Sequence, residues 1–407
     1  MRILFLIITA FLWTGNLYSQ WYQQNSGNVN TLKSVFFINH NTGWICGFEC
    51  VLKTTDCGNN WSVYALEGFH KSVFFTDENT GWICGDNGKI FKTVNGGVNW
   101  LPVSSGVTSA LNQITFFNNN TGLISGSNKK ILKTTDSGNT WNNINNFNTE
   151  LDFHSVKILN NGHYIVTGTE SSVYVSTNSG SIWDTLSLGM PNPLLTSEFI
   201  DQNTGWISGC CGMFMKTTDG GANWSPEVYL TPGYSINSMK FINVNSGWAA
   251  GDAGYILRTS NSGLSWDSLN STTQAGIYSL FFLNKDTGFA AGYNGLILRT
   301  TNGGGEGFPL NVLQISNETP GLFTLEQNYP NPFNPSTYLE FSISKREFVN
   351  LKVYDLLGSE VTTLINEFKN AGRYTLKFDG SNLASGIYFY SITAGNLSDK
   401  KMMILLK

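Results

Sequence analysis

The run Thr54-Thr55-Asp56-Cys57-Gly58-Asn59-Asn60-Trp61 decides the fold, because its pattern Thr-Thr-Asp-x-Gly-x-x-Trp returns six more times in recognisable form. Its glycines are Gly58, Gly97, Gly138, Gly180, Gly221, Gly263 and Gly304, at intervals of 39, 41, 42, 41, 42 and 41 residues. A period near forty fits four short strands per repeat, and the local pattern excludes a stack of helix pairs. Within a repeat, an apolar strand such as Ser34-Val35-Phe36-Phe37 leads into Gly43-Trp44-Ile45-Cys46-Gly47 and then into Val51-Leu52-Lys53-Thr54. The equivalent second strands are expected to start at Gly81, Gly122, Gly162, Gly205, Gly247 and Gly288.

The tryptophan ending each motif opens an outer strand, at Trp61, Trp100, Trp141, Trp183, Trp224 and Trp266. The seventh motif runs out at Gly303-Gly304-Gly305, whereas Trp21-Tyr22-Gln23-Gln24 precedes the first repeat. The expectation is an all-β chain: a seven-bladed β-propeller over residues 20–305, its N-terminal strand closing the last blade beside Gly295 to Thr301. Such closure leaves no unpaired blade edge around the ring.

Within the motif, the acidic position is Asp56, Asp136 and Asp219 but Asn95, Asn178, Asn261 and Asn302 elsewhere. A hard cation favours carboxylate charge over a neutral amide, so these residues read as turn-forming acceptors, with no metal site and no cofactor. A second repeated feature is a cation on the third strand, at Lys53, Lys92, Lys133, Lys216, Arg258 and Arg299. Long side chains near a turn are expected to reach for water.

The motif resembles the Asp-box of the bacterial neuraminidase repeat, and blade text such as Gly81-Trp82-Ile83-Cys84-Gly85-Asp86-Asn87-Gly88 is similar to the photosystem II assembly-factor type of propeller. That resemblance covers about residues 21–305 and implies a fold rather than a ligand. Relatives of the assembly-factor type act as binders of a membrane-protein precursor through an arginine-rich patch. This propeller has only Arg258 and Arg299, so the resemblance does not carry that client over.

Residues 306–321 lack the repeat and read as a linker ending at Glu318-Thr319-Pro320-Gly321. A second domain over 322–407 opens with Asn328-Tyr329-Pro330-Asn331-Pro332-Phe333-Asn334-Pro335, whose prolines force an extended approach. Alternating runs at Tyr338 to Ile343, Val349 to Tyr354, Gly372 to Phe378, Gly386 to Thr393 and Lys401 to Leu406 predict a small immunoglobulin-like β-sandwich. Together with Val353-Tyr354-Asp355-Leu356-Leu357-Gly358, Ser385-Gly386-Ile387-Tyr388 and the ending Lys400 to Lys407, this text closely resembles the type A sorting domain of the type IX secretion system of Bacteroidetes. The resemblance implies the secretion machinery as a partner, and release from or attachment to the outer cell surface.

Met1-Arg2, the apolar run Ile3 to Trp13 and the small residues to Ser19 have the order of a secretory signal peptide over 1–19. Residues 21–318 hold 14 Lys and Arg against 20 Asp and Glu, which excludes a nucleic-acid footprint. Cys46 and Cys84 occupy equivalent positions about one repeat apart, and Cys50 and Cys57 bracket one strand, so no regular disulfide framework is expected; the adjacent Cys210 and Cys211 leave a vicinal bond as the alternative.

Catalysis is not expected. A sialidase-type site would need three arginines on the substrate carboxylate, and other glycosidases need two placed carboxylates; the first strands are almost bare of acids. The expected role is binding or scaffolding of an extracellular glycan or protein, on the face made by the turns between second and third strands. Its candidate residues are Phe48, Glu49, Asp86, Asn87, Asn128, Glu170, Asp252, Tyr293 and Asn294, with His70 and Lys71 from an inter-blade loop. The alternatives are a secreted glycoside hydrolase of sialidase or xyloglucanase type, or a periplasmic assembly factor for a membrane complex.

Overall fold

The computed structural model describes residues 21–145, 151–231, 233–305, 308–309, 313–316, 322–381 and 383–407. The signal-peptide reading of residues 1–19 lies outside them. Strands dominate, and the only helical elements among the described residues are single 3-10 turns.

Each repeat begins with a six-residue inner strand: Leu32–Phe37, Leu111–Phe116, Phe153–Ile158, Leu194–Phe199, Ile236–Phe241 and Ile277–Phe282. In the second repeat, the end of the long strand Ser62–Phe75 takes this place. Second and third strands follow by antiparallel pairing, and a short outer strand completes each sheet. Ser62–Phe75 is the outer strand of the first repeat and the inner strand of the second, so these two sheets run together. The inner strands adjoin one another in cyclic order, and Ile277–Phe282 returns to pack beside Leu32–Phe37. The arrangement is propeller-like. Its last sheet takes its outer strand from Tyr22–Gln24, which pairs with Ile297 to Arg299.

The core lies between sheets. Trp44 stacks on Phe75 of the next repeat at 3.5 Å, Trp82 on Phe116 at 4.0 Å, Trp206 on Phe241 at 3.6 Å and Trp248 on Phe282 at 3.8 Å. Phe289 closes the series on Phe37 at 4.2 Å. These phenylalanines end the inner strands and cover the glycines that start the second strands; a Cβ on Gly43 would meet the Phe37 ring at 2.6 Å. The fourth repeat departs from this pattern and corrects the sequence reading. Its second strand is Tyr164–Gly168, opposite Ile158, and Gly162 lies in the preceding turn. The smaller Ile158 leaves room for the larger Tyr164, so volume is exchanged across the pair.

The tail forms two four-stranded sheets around one core of residues such as Leu339, Leu351, Tyr390 and Met403. Four of the five expected strands are placed close to their expected ranges, and Leu397–Leu405 holds the fifth. Glu360–Lys369 is an additional edge strand. The linker reading is also corrected. Leu313–Ser316 pairs with Gly372–Asp379, and Phe308–Pro309 with Asp267–Leu269. The proline-rich opening clasps the last strand, with Ile404 N–H donating to Asn331 Oδ1 at 2.9 Å and Phe333 N–H to the Ile404 carbonyl at 2.9 Å.

Candidate binding face at the central axis

In the repeated turns, Asp and Asn do the same work. Asp56 Oδ1 accepts from the Asn60 amide at 2.9 Å, Asn95 Oδ1 from Asn99 at 3.0 Å, and Asn178 Oδ1 from Ile182 at 2.8 Å. The threonine two residues earlier accepts from the motif glycine, as Thr54 does from Gly58 at 2.9 Å. Asp136, Asp219 and Asn261 repeat this geometry. Asn302 accepts from the Thr300 hydroxyl at 3.0 Å. Four of the six third-strand cations are hydrogen-bonded rather than given over to water. Lys92 reaches the Ser137 carbonyl at 2.8 Å, Lys133 the Ser179 carbonyl at 3.0 Å, Arg258 the Gly305 carbonyl at 2.6 Å and Arg299 the Asn59 amide oxygen at 2.6 Å. Each of these four ties its own sheet to the turn of the next repeat, which presents an oxygen acceptor within reach of a long side chain.

At the other end of the sheets, each inner strand carries a bulge after its first residue. The extra residue is Lys33, Lys71, Asn112, His154, Leu195, Asn237 or Tyr278, a set that sequence reasoning did not assemble. A bulge releases one side chain from the sheet's alternation and re-aims it. Five of these side chains, Lys33, Lys71, Asn112, Asn237 and Tyr278, make contacts along the rim. Lys33 Nζ sits 3.3 Å from the Tyr278 ring centroid and 5.7 Å from that of Phe69. Lys71 pairs with Asp86 at 2.8 Å and donates to Asn112 Oδ1 at 3.1 Å, and Asn112 donates to the Phe153 carbonyl at 2.8 Å. Asn237 donates to Asp252 and to the Ile277 carbonyl, both at 3.0 Å. Burial, then the Lys71 charge, lower the Lys33 ammonium to a pKa of about 8, against opposing attraction from Asp252 and Asp86. Burial also lowers His154, which favours its neutral form.

Below the rim, hydroxyls join neighbouring inner strands. Ser34 Oγ accepts from the Val73 amide at 3.3 Å, Ser72 Oγ from Ile114 at 3.2 Å, Ser238 Oγ from Leu280 at 3.0 Å and Ser279 Oγ from Val35 at 3.1 Å. Deeper still, Glu198 bridges Lys157 at 2.7 Å and Lys240 at 2.8 Å.

The residues expected on the turn face separate into groups. Asp86 and Asp252 reach the rim. Phe48 is exposed and lies against Phe69 at 6.0 Å, and Tyr293 is half exposed. Glu49, Asn87, Asn128, Glu170 and Asn294 hold left-handed turn positions. Asn87 and Asn128 line a cleft of about 760 Å³ with Lys89, Phe91 and Lys130. His70 and Lys71 are not in a loop. Both lie in the strand Ser62–Phe75, and His70 is fully buried in the place that Leu32 holds in the first repeat, with Nε2 3.0 Å from the Leu66 carbonyl. In the sequence each rim residue follows an apolar residue or His70 and precedes Ser, Thr or Gln, and its own type varies from Lys to Leu, so no pattern singles it out.

Comparison with known proteins places these features. The family model described as photosynthesis system II assembly factor YCF48 matches residues 65–186, 175–274 and 227–301. The model of the secretion system C-terminal sorting domain matches residues 327–405. No curated protein matches the chain. Among solved structures, "YCF48 bound to D1 peptide" is 20% identical with a TM-score of 0.60, covering 70% of this chain and 98% of its own. YCF48 from Cyanidioschyzon merolae is 20% identical with a TM-score of 0.59, covering 69% and 98%. The WD40 propeller domain of Doa1 has a TM-score of 0.59 at 11% identity, covering 69% and 97%. At such identities the solved structures speak for the fold alone. With the family model spanning more than half of its length, the chain belongs to the photosynthesis system II assembly factor YCF48 family, and it carries a secretion-system sorting domain at its C-terminal end.

Proposed function

We propose that this is a secreted binding protein: a closed seven-bladed propeller, followed by an immunoglobulin-like sorting sandwich, that captures an extracellular partner by an acidic group at the axis rim. The observation that carries this reading is the convergence of Lys33 and Lys71 with Tyr278 and Phe69 at one end of the axis. Ammonium groups pair with a carboxylate, and aromatic faces pack against the apolar part of the same ligand. The neighbour described as bound to D1 peptide makes a peptide one suitable class, and an acidic glycan presents the same carboxylate. Recognition rather than hydrolysis is supported by the acids: Glu198 is the sole carboxylate on the six-residue inner strands and on His70 to Phe75, their counterpart in the second repeat, and two lysines hold it. Export begins with the signal sequence and ends with the sorting domain, which engages the type IX machinery.

The test is binding of the full chain to arrays of acidic peptides and acidic glycans, with a Lys33→Met/Lys71→Met variant beside it. Losing two charge-assisted contacts is expected to weaken capture by about tenfold or more. Equal binding by the variant, or no ligand in either array, would refute the reading.

A further inference from the structure

The 3-10 turn Cys210–Gly212 occupies the fifth repeat's counterpart of the turns Asp86–Gly88 and Asp252–Gly254. Its two sulfurs stand 3.2 Å apart, and both residues are partly exposed. Cys211 is in the left-handed region at φ 62°, which presents adjacent side chains to one another across a tight turn. The other four cysteines, Cys46, Cys50, Cys57 and Cys84, are buried. Only this pair therefore combines sulfur contact with access to a reagent.

We propose that Cys210 and Cys211 are a dithiol modification site, closed in the exported protein to a vicinal disulfide by exchange with the disulfide of a thiol oxidant. One thiolate attacks a sulfur of the oxidant's disulfide, forming a mixed disulfide and releasing one thiol of the oxidant. The neighbouring Cys then attacks its own partner's sulfur in that mixed disulfide, forming the Cys210–Cys211 bond and releasing the second thiol. Two cysteine thiols are oxidised, one disulfide is reduced, and the two protons pass to the released thiols. The contact distance makes the second attack intramolecular and fast relative to capture by a second oxidant molecule.

The bond is not a stability device. Loop-closure entropy grows with the length of chain enclosed, and a bond between adjacent residues encloses almost none. Its effect is local: it replaces two mobile thiols with a rigid apolar group on the face where other repeats present Asp86 or Asp252. Next to it on the inner strand stands Leu195, so this sector of the rim is apolar where the others are polar.

The site can be read separately from every other cysteine, because the peptide between Lys157 and Lys216 contains only Cys210 and Cys211. Full-length protein isolated from the culture medium is alkylated before and after reduction, and that peptide is weighed. No label before reduction and two labels after it are expected. Two labels without reduction would overturn the proposal for the exported protein. In a second arm, reduced full-length protein receives oxidised glutathione. The wild-type peptide should lose two hydrogens and keep no glutathione, whereas Cys211→Ser should retain one glutathione on Cys210. A stable glutathione adduct on the wild-type pair would show that the turn prevents closure. The reduced and oxidised proteins should melt within about 2 °C of each other, and a larger shift would contradict a purely local role.

Discussion

Lys33 has the most consequential surroundings of any single residue. Its ammonium is partly withdrawn from water, stands over Tyr278 and faces Lys71, and these conditions lower its pKa to about 8. The charge is therefore complete well below pH 8 and lost as pH rises through it. Capture of an acidic ligand should weaken across that interval in a titration of affinity against pH, and Lys33→Arg should flatten the profile, since a guanidinium keeps its proton. Glu198 shows the opposite sign. Burial alone would raise its carboxyl, but Lys157 and Lys240 outweigh burial and lower it to about 2. A lowered carboxylate contributes stability above its ordinary value of 4.5, and that contribution is lost as pH falls from 4.5 toward about 2. Glu198→Gln should remove this acid limb from a series of thermal melts and cost about 3 kcal/mol at neutral pH, because two partly buried ammoniums lose their buried partner.

Among the elements, the strand Tyr22–Gln24 joins the two ends of the repeat array. The preceding Trp21 is fully buried, its ring edge-on to Phe282 at 5.9 Å and close above Gly304. Trp21→Ala should lower unfolding free energy by about 3–5 kcal/mol in urea titrations, a loss far larger than expected for a frayed terminal strand. The placement of this strand was legible because a missing tryptophan at one end of the array matched a spare one at the other. The repeated turns were legible too, since their hydrogen bonds need a particular acceptor at a fixed offset. The rim was not, because a bulge advances the side-chain alternation by one residue and no local sequence rule marks it. The second strand of the fourth repeat was misplaced for a different reason: glycine is required there only when a phenylalanine lies opposite, and Ile158 lifts the requirement. Glu360–Lys369 was missed because an edge strand with polar residues and irregular register lacks clean alternation.

At the scale of the molecule, propeller and tail have separate cores. Leu397–Leu405 is paired along its length with Gly386–Ala394, contributes Met403 and Leu405 to the tail core, and is gripped by the Asn331 side chain. Removing Lys400 to Lys407 opens that sheet and should leave the protein inside the cell envelope. Fractionation would reveal it there, and undiminished delivery to the surface or medium would contradict a sorting role. The tryptophan fluorescence of the propeller should be unaltered by the truncation, since every tryptophan of the described chain lies in the repeats.

The sheet finished by Tyr22–Gln24 is held across its seam by hydrogen bonds and buried rings, with no covalent link between the two ends of the repeat array. The seam could in principle sit anywhere on the circumference. A circular permutant, with a short tether from Gly305 to Trp21 and new termini cut in the Gly189 turn, should fold with the same inter-sheet stacking, and the tail could then be grafted at a different azimuth.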